Sequence, residues 1–318
     1  MARSETSLVA ALLTQRLIDG VAEPLKASEY WKLVAQLDDL KELLGRSADE
    51  LAVDLGIDAG TADRVARRLD QVTQVAFALD EAEQGGLRVV TSVDDEYPSV
   101  LAERLAAAAP PLLYVVGDTD LLHGGGLGVV GSRDVSPEAA DVAKDAGRLA
   151  TAHGAAVLSG AAKGVDRLAM TAAVDAGGRA VGVLAESLTR MARDPDTRRA
   201  VTDGSLCLVT PYKPSAGFSV ALAMARNKLV YALSTATLVV TTDHDKGGTW
   251  AGAVESIAQR YAPVLVWTGA GAGKGNRPLV ERGGAAVDDL AGLFPLTRDT
   301  RDTRNIGDSR PTQLSLEL

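Results

Sequence analysis

Apolar positions change their spacing once along this chain. Up to about residue 83 they recur at helical intervals, as at Leu33, Leu37, Leu40, Leu43 and Leu44, which predicts a helical N-terminal domain over residues 1–85. From Leu87 the texture becomes short β-rich runs separated by helical stretches. Runs at 87–90, 112–115, 127–130, 156–158, 181–184, 206–209, 238–241 and 264–267 predict strands, with helices at 137–151, 165–176, 220–233 and 249–259. Such alternation marks a parallel sheet covered by helices, so the fold class is α/β with a mainly parallel sheet over 86–296. Local signals agree: Pro137 follows Ser136 where a helix should start, and Gly177 with Gly178 follows one that should stop. After Leu296 come Arg-Asp-Thr repeats, Gly307, Pro311 and other polar residues. That tail, 297–318, has too few apolar groups to pack and is expected to be disordered.

Composition narrows the function. With 46% hydrophobic residues in 318, a substantial core can form. Aromatics make up only 4%, so base stacking could use few positions; Tyr212, Phe218 and Trp250 are the ones near the loops discussed next. A formal charge of −9 excludes indiscriminate coating of nucleic acid, which needs a broadly basic surface. Binding would have to use a local patch. The lone cysteine, Cys207, excludes an internal disulfide, fits a reducing compartment and falls in a strand where it should pack. No apolar run has the length of a membrane span and no signal-peptide pattern opens the chain, so a cytoplasmic protein without membrane attachment is expected.

Four short segments carry the candidate chemistry, each where a strand hands over to a helix or at a helix head. Gly131, Ser132 and Arg133 combine close approach, a hydroxyl and a guanidinium fork suited to phosphate. The loop from Ser159 to Asp166 consists of small residues, with Gly160 and Gly164 exposing N–H groups and Lys163 and Arg167 adding charge at its mouth. Asp166, at the head of a helix, is expected to accept N–H bonds and fix the loop. Arg226, Asn227 and Lys228 sit on a predicted helix, and Lys246, Gly247, Gly248 and Thr249 precede another. In an open α/β sheet such turns gather at one edge, where helix N-termini form an anion site. The chain is therefore read as a phosphate or nucleotide-backbone binder. Two patterns are set aside. The glycines of 126–131 satisfy G-x-G-x-x-G but start before the strand they should follow, and 269–275 is a residue short of a P-loop and reads as a mobile loop.

These segments, with 94–98 and 110–114 ahead of them, resemble the DprA/Smf family of DNA-processing proteins, in the SLOG superfamily. The similarity runs from about Gly86 to about Gly269. The resemblance implies an extended Rossmann-like domain that binds single-stranded DNA, forms a homodimer and, in competence members, loads a RecA-type recombinase, acting in recombination, DNA uptake or defence. It implies no established catalysis and no cofactor. The chain departs from the family at two positions, Met170 where a histidine is usual and Lys228 where an arginine is, and the winged-helix domain that many relatives carry is not expected in the stretch after Leu296.

Other features extend or rival that reading. Residues 55–62 with Val65, Ala66 and Leu69 resemble a helix-hairpin-helix, whose glycines admit a DNA phosphate; the alternative is a tight connection between packed helices. Gln313, Leu314, Leu316 and Leu318 resemble the peptide that docks on the DNA polymerase sliding clamp, the alternative being a tail folded onto its own domain. The Lys246 to Thr249 loop also resembles that of LOG-type phosphoribohydrolases. A nucleotide sensor or nucleoside-monophosphate hydrolase is thus the rival, with Glu255 as its nearest carboxylate. No nucleophile, base and orienting group form a set, and the three histidines and Cys207 lack metal-ligand spacing, so no metal is expected.

Overall fold

The computed structural model describes residues 3–18, 20 and 22–296. Its N-terminal part is helical: α1 (Glu5–Thr14), α2 (Ala27–Val34), α3 (Ala48–Asp54), α4 (Ala59–Leu69) and α5 (Val72–Gln84). Local chemistry sets their starts. Ser4 accepts from the N–H of Ser7, Ser47 and Glu50 form a reciprocal capping box, and Asp58 accepts from Thr61. The α3–α4 connection that resembles a helix-hairpin-helix lies at the surface, with Gly56, Asp58 and Gly60 exposed.

A buried arginine ties these helices together. Arg68 of α4 is only 2% exposed and donates to the carbonyls of Leu12 at 2.6 Å and Gln15 at 2.8 Å. Those carbonyls lie at the end of α1, where backbone acceptors lack intrahelical partners and a cation is favoured. Burial still disfavours the charge, and holds Arg68 down at about 10.

The sheet begins three residues after Gly85. In chain order it comprises β1 (Arg88–Thr91), α6 (Ser99–Leu105), β2 (Leu112–Val116), β3 (Leu127–Val130), α7 (Pro137–Ala152), β4 (Val157–Ser159), α8 (Val165–Asp175), β5 (Ala180–Val183), α9 (Leu188–Met191), α10 (Pro195–Thr202) and β6 (Leu206–Thr210). Then follow α11 (Val220–Leu233), β7 (Ala236–Val239), α12 (Gly247–Gln259), β8 (Val264–Trp267), α13 (Asn276–Glu281) and β9 (Ala285–Val287). The nine strands run β1-β2-β6-β5-β4-β3-β7-β8-β9. The β1–β2 and β2–β6 pairs are antiparallel, and all the others parallel.

The architecture is the α/β, mainly parallel sheet anticipated. Strand β7 starts two residues earlier than expected, because Thr237 is fully buried and pairs in register with Val264 despite its hydroxyl. Strand β9 was not anticipated; three residues, one of them exposed, leave no readable pattern. One core packs α1, α4, α7 and α8 on one side of the sheet, and a second packs α6, α11 and α12 on the other. The N-terminal helices share the first core with Val89 and Tyr114 of the sheet. The phenol of Tyr114 also accepts the backbone N–H of Arg16 at 2.6 Å. Among the described residues no helix is long and apolar enough to cross a membrane.

Candidate nucleic-acid interface

Strand order fixes where a site can form. From β3 the chain winds outward through β4, β5 and β6 on one side, and through β7, β8 and β9 on the other. Loops leaving β3 and its neighbours therefore diverge, and open a crevice at the carboxyl ends of β3, β4 and β7. All four candidate segments lie at or beside that crevice.

The first turn is held from three directions. The N–H of Ser132 donates to Thr241 at 3.0 Å, the carbonyl of Ser132 accepts Val165 at 3.2 Å, and the carbonyl of Gly131 accepts the Thr249 hydroxyl at 2.9 Å. Arg133 stays exposed on this braced backbone. Gly164 supports it from below. Its φ of +90° suits glycine, and a Cβ there would lie 2.8 Å from the Cα of Arg133.

The second loop carries a buried pair of opposite charges at its base. Ser159 is fully buried and its hydroxyl donates to Val129 at 2.6 Å, so it shapes the loop from beneath rather than offering a donor to a ligand. The N–H of Gly160 donates to the Asp166 carboxylate at 3.2 Å, the loop-fixing role expected for Asp166. Arg226 reaches from α11 under the same loop, 5% exposed, and donates to the carbonyl of Val183. Burial raises the Asp166 carboxyl against the opposing pull of Arg226, and burial likewise lowers Arg226. Met170, where the family usually has histidine, is 8% exposed and packed in the core.

A cavity of about 350 Å³ brings most of the segments together. Gly131, Ser132, Arg133, Gly160, Arg226, Asn227, Lys246, Gly247, Gly248 and Thr249 line it, with Asp166 and Tyr231. Asn227 donates to the carbonyl of Gly248 at 2.8 Å and so ties α11 to the head of α12, whose N-cap is Lys246. That places the N-terminus of a 13-residue helix at the cavity. Ser159, Lys163, Gly164, Arg167 and Lys228 are outside the lining. Lys163 and Arg167 are exposed on the flank, and Lys228 is half-buried on α11.

The cavity lining also includes apolar residues outside the four phosphate-type segments: Phe218, already noted among the aromatics near these loops, and two residues the motifs did not single out. Phe218, Val220 and Met224 line it while remaining 50%, 67% and 44% exposed. The available signal was a helix whose apolar residues go all round, as α11 does from Val220 to Leu233, although only its second half is covered. The other candidates fall away from the cleft. The Glu255 carboxylate accepts the Tyr261 hydroxyl at 3.0 Å and is not part of the lining. Among the described residues no three His, Cys, Asp or Glu side chains could hold a metal; His244 instead sits edge-on to Trp250 at 4.9 Å.

The expected mobile loop at 269–275 is corrected by its packing. The N–H of Gly275 donates to Thr242 at 2.8 Å, and the fully enclosed amide of Asn276 bridges Val240, Trp267 and Thr242. The segment is a spacer wedged behind β7, and its glycines serve close packing. Gln313, Leu314, Leu316 and Leu318 lie outside the described residues.

An open, mainly parallel sheet with a glycine-rich, partly basic cleft at its switch point defines a Rossmann-like protein. The model of the DNA recombination-mediator protein A family matches residues 88–292, and the chain belongs to that family. It is similar to DNA processing protein A from Streptococcus pneumoniae, at 22% identity and a TM-score of 0.59, over 85% of this chain and 97% of that one. It is also similar to the Helicobacter pylori protein, whose structure was described for its single-stranded DNA binding mode. There identity is 21% and the TM-score 0.53, over 65% of this chain and 93% of that one. No curated protein sequence matches the chain.

Proposed function

We propose that this protein binds single-stranded DNA in the switch-point cleft and acts in DNA processing and recombination. One observation carries the reading: residues 131–133, Gly160, Arg226, Asn227 and 246–249, from four separate stretches, line one cavity. Arg133 and Lys246 supply exposed charge there, while braced turns and the head of α12 supply N–H groups. Placing the contacting cations Arg133 and Lys246 in a cleft suits a chain of net charge −9, since contact is then confined to a strand threaded through it. Family membership supports the same reading, as does the single-stranded DNA binding of the Helicobacter pylori protein.

Three partners belong to the same proposal. A second copy of the chain and a RecA-type recombinase follow from the family resemblance, and the sliding clamp follows from the 313–318 sequence. The deciding experiment is anisotropy of a labelled single-stranded oligonucleotide, competed by mononucleotides. Tight, salt-dependent oligonucleotide binding that mononucleotides displace weakly is expected. Preferential mononucleotide binding would favour a nucleotide sensor.

A further inference from the structure

We infer that a second cavity, at the edge of the sheet away from the cleft, binds a nucleoside monophosphate. It holds about 330 Å³ and lies at the amino ends of β3, β4, β5 and β7, whereas the cleft lies at the carboxyl ends. Its lining comes from the turns ahead of β3 and β4, from Arg179 and Thr235 ahead of β5 and β7, and from 294–296. Hydrogen-bond donors dominate it. The N–H groups of Gly124 and Gly125 have no acceptor among the described residues, and a Cβ on Gly124 would meet nothing within 4 Å, so packing does not explain that bare backbone. The Arg179 guanidinium has no ion pair or hydrogen bond among the described residues. Thr235 is 5% exposed and its hydroxyl accepts the N–H of Gly126 at 3.1 Å, while its own proton finds no acceptor among the described residues. Such a buried donor is costly unless something in the cavity accepts from it.

A guanidinium, a hydroxyl and bare N–H groups gathered without acceptors specify a phosphate. The carbonyls that end α7 do not oppose it, because those of Leu149, Ala150 and Thr151 already accept the N–H groups of 153–155. Two further features extend the ligand beyond phosphate. The rings of His153 and Phe294 stack 4.6 Å apart and 3° from parallel, and both line the cavity. They form a ready aromatic wall on which a base can stack. Asp120 also lines the cavity, and a carboxylate is unfavourable beside a bare anion. It suits a ligand that brings donors of its own, as ribose hydroxyls and base amino groups do. The cavity ends on buried Ala156 and Thr235, so it takes one nucleotide unit and does not thread a strand.

The test is calorimetry of the full chain with each common ribonucleoside monophosphate and with ribose 5-phosphate, repeated for Arg179→Glu and for Arg133→Glu in the cleft. At least one nucleotide should bind, about tenfold more tightly than ribose 5-phosphate, which has no base to stack. Arg179→Glu should weaken that binding about tenfold by removing a charge-assisted bond, and Arg133→Glu should leave it unchanged. Arg179 is exposed, so its replacement should cost the fold little. Hydrogen exchange needs no variant: the bound nucleotide should slow exchange at 124–126 and leave 131–133 unaffected. Absence of nucleotide binding would overturn the inference, as would equal binding of ribose 5-phosphate. Binding lost in Arg133→Glu and kept in Arg179→Glu would place the nucleotide in the cleft and overturn it too. Oligonucleotide affinity should be the same in Arg179→Glu as in the unaltered chain, so the single-strand reading stands or falls separately.

Discussion

The Arg226 guanidinium occupies the space that a Cβ on Gly160 would need, its Cζ only 2.5 Å from that ideal position. Arg226 is buried and bonded to the carbonyl of Val183, so making room would break that bond. Gly160→Ala is therefore expected to destabilise the fold by about 1–3 kcal/mol, the usual cost of overpacking. Differential scanning calorimetry checks it; an unchanged melting temperature would mean that Arg226 is free to move aside. The same variant should weaken oligonucleotide binding, since the loop and Arg226 share the cavity.

Charge reversal at the cleft tests the electrostatic part of the reading. Arg133 and Lys246 are exposed and line the cavity, whereas Lys163 is exposed outside it. Arg133→Glu and Lys246→Glu are each expected to weaken single-strand binding and to flatten the plot of log affinity against log salt by about 0.7 for every phosphate no longer neutralised. Lys163→Glu should do less. Equal effects from all three would mean that the strand is held by the surface around the cleft.

The two halves of this site were unequally visible in the sequence. The glycine, basic and hydroxyl residues stood out because backbone access and phosphate chemistry demand particular residue types at strand ends. Their grouping at one edge also followed, since the alternation of strands and helices dictates a switch point. Depth was not legible. Ser159 and Arg226 have the same composition signal as Ser132 and Arg133, yet the first pair turns inward to Val129 and Val183 while Arg133 faces solvent. Only tertiary packing separates them. Val220 and Met224 were hidden for the converse reason, because each looks like a core residue until the helix around it is seen to be uncovered.

Tyr231 offers a test of the cavity floor that is independent of any ligand. Its hydroxyl is buried and has no hydrogen-bond partner among the described residues. A buried hydroxyl left unsatisfied costs about 1–3 kcal/mol, so Tyr231→Phe, which keeps the ring, is expected to raise stability by about 1 kcal/mol. Urea unfolding with an unchanged slope checks this. A loss of stability would reveal an acceptor, such as an enclosed water.

All six tyrosines titrate above their ordinary value, with burial the main cause in each. Tyr30 and Tyr114 are pushed up to about 12, as is the Cys207 thiol. Each group is neutral when protonated, and the folded state holds its proton more tightly than the unfolded chain does. Their contribution to stability is therefore complete below the unfolded values, near 9 for the thiol and 10 for the phenols, and is lost as pH climbs towards 12. Phenolate absorbance at alkaline pH should accordingly rise together with loss of secondary structure, in one step. A smooth titration near the ordinary tyrosine value, with the circular dichroism intact, would contradict this.

The C-terminal segment is expected to act separately from the cleft. Every residue lining the cavity falls between Val130 and Thr249, whereas the clamp-like sequence occupies 313–318, beyond the described residues. Leu314, Leu316 and Leu318 alternate with polar residues, the spacing by which a short peptide presents apolar side chains to a groove. Binding that must also order the peptide should be modest, in the micromolar range, because ordering costs a share of the contact energy. Calorimetry with purified sliding clamp should therefore detect a weak complex with the full chain, and none after deletion of 313–318 or with Leu314→Ala and Leu316→Ala combined. Affinity for the single-stranded oligonucleotide should stay unchanged in both variants. Absence of heat with the full chain at micromolar concentrations would assign the segment to docking on its own domain, and a parallel loss of oligonucleotide affinity on deletion would locate that docking at the cleft.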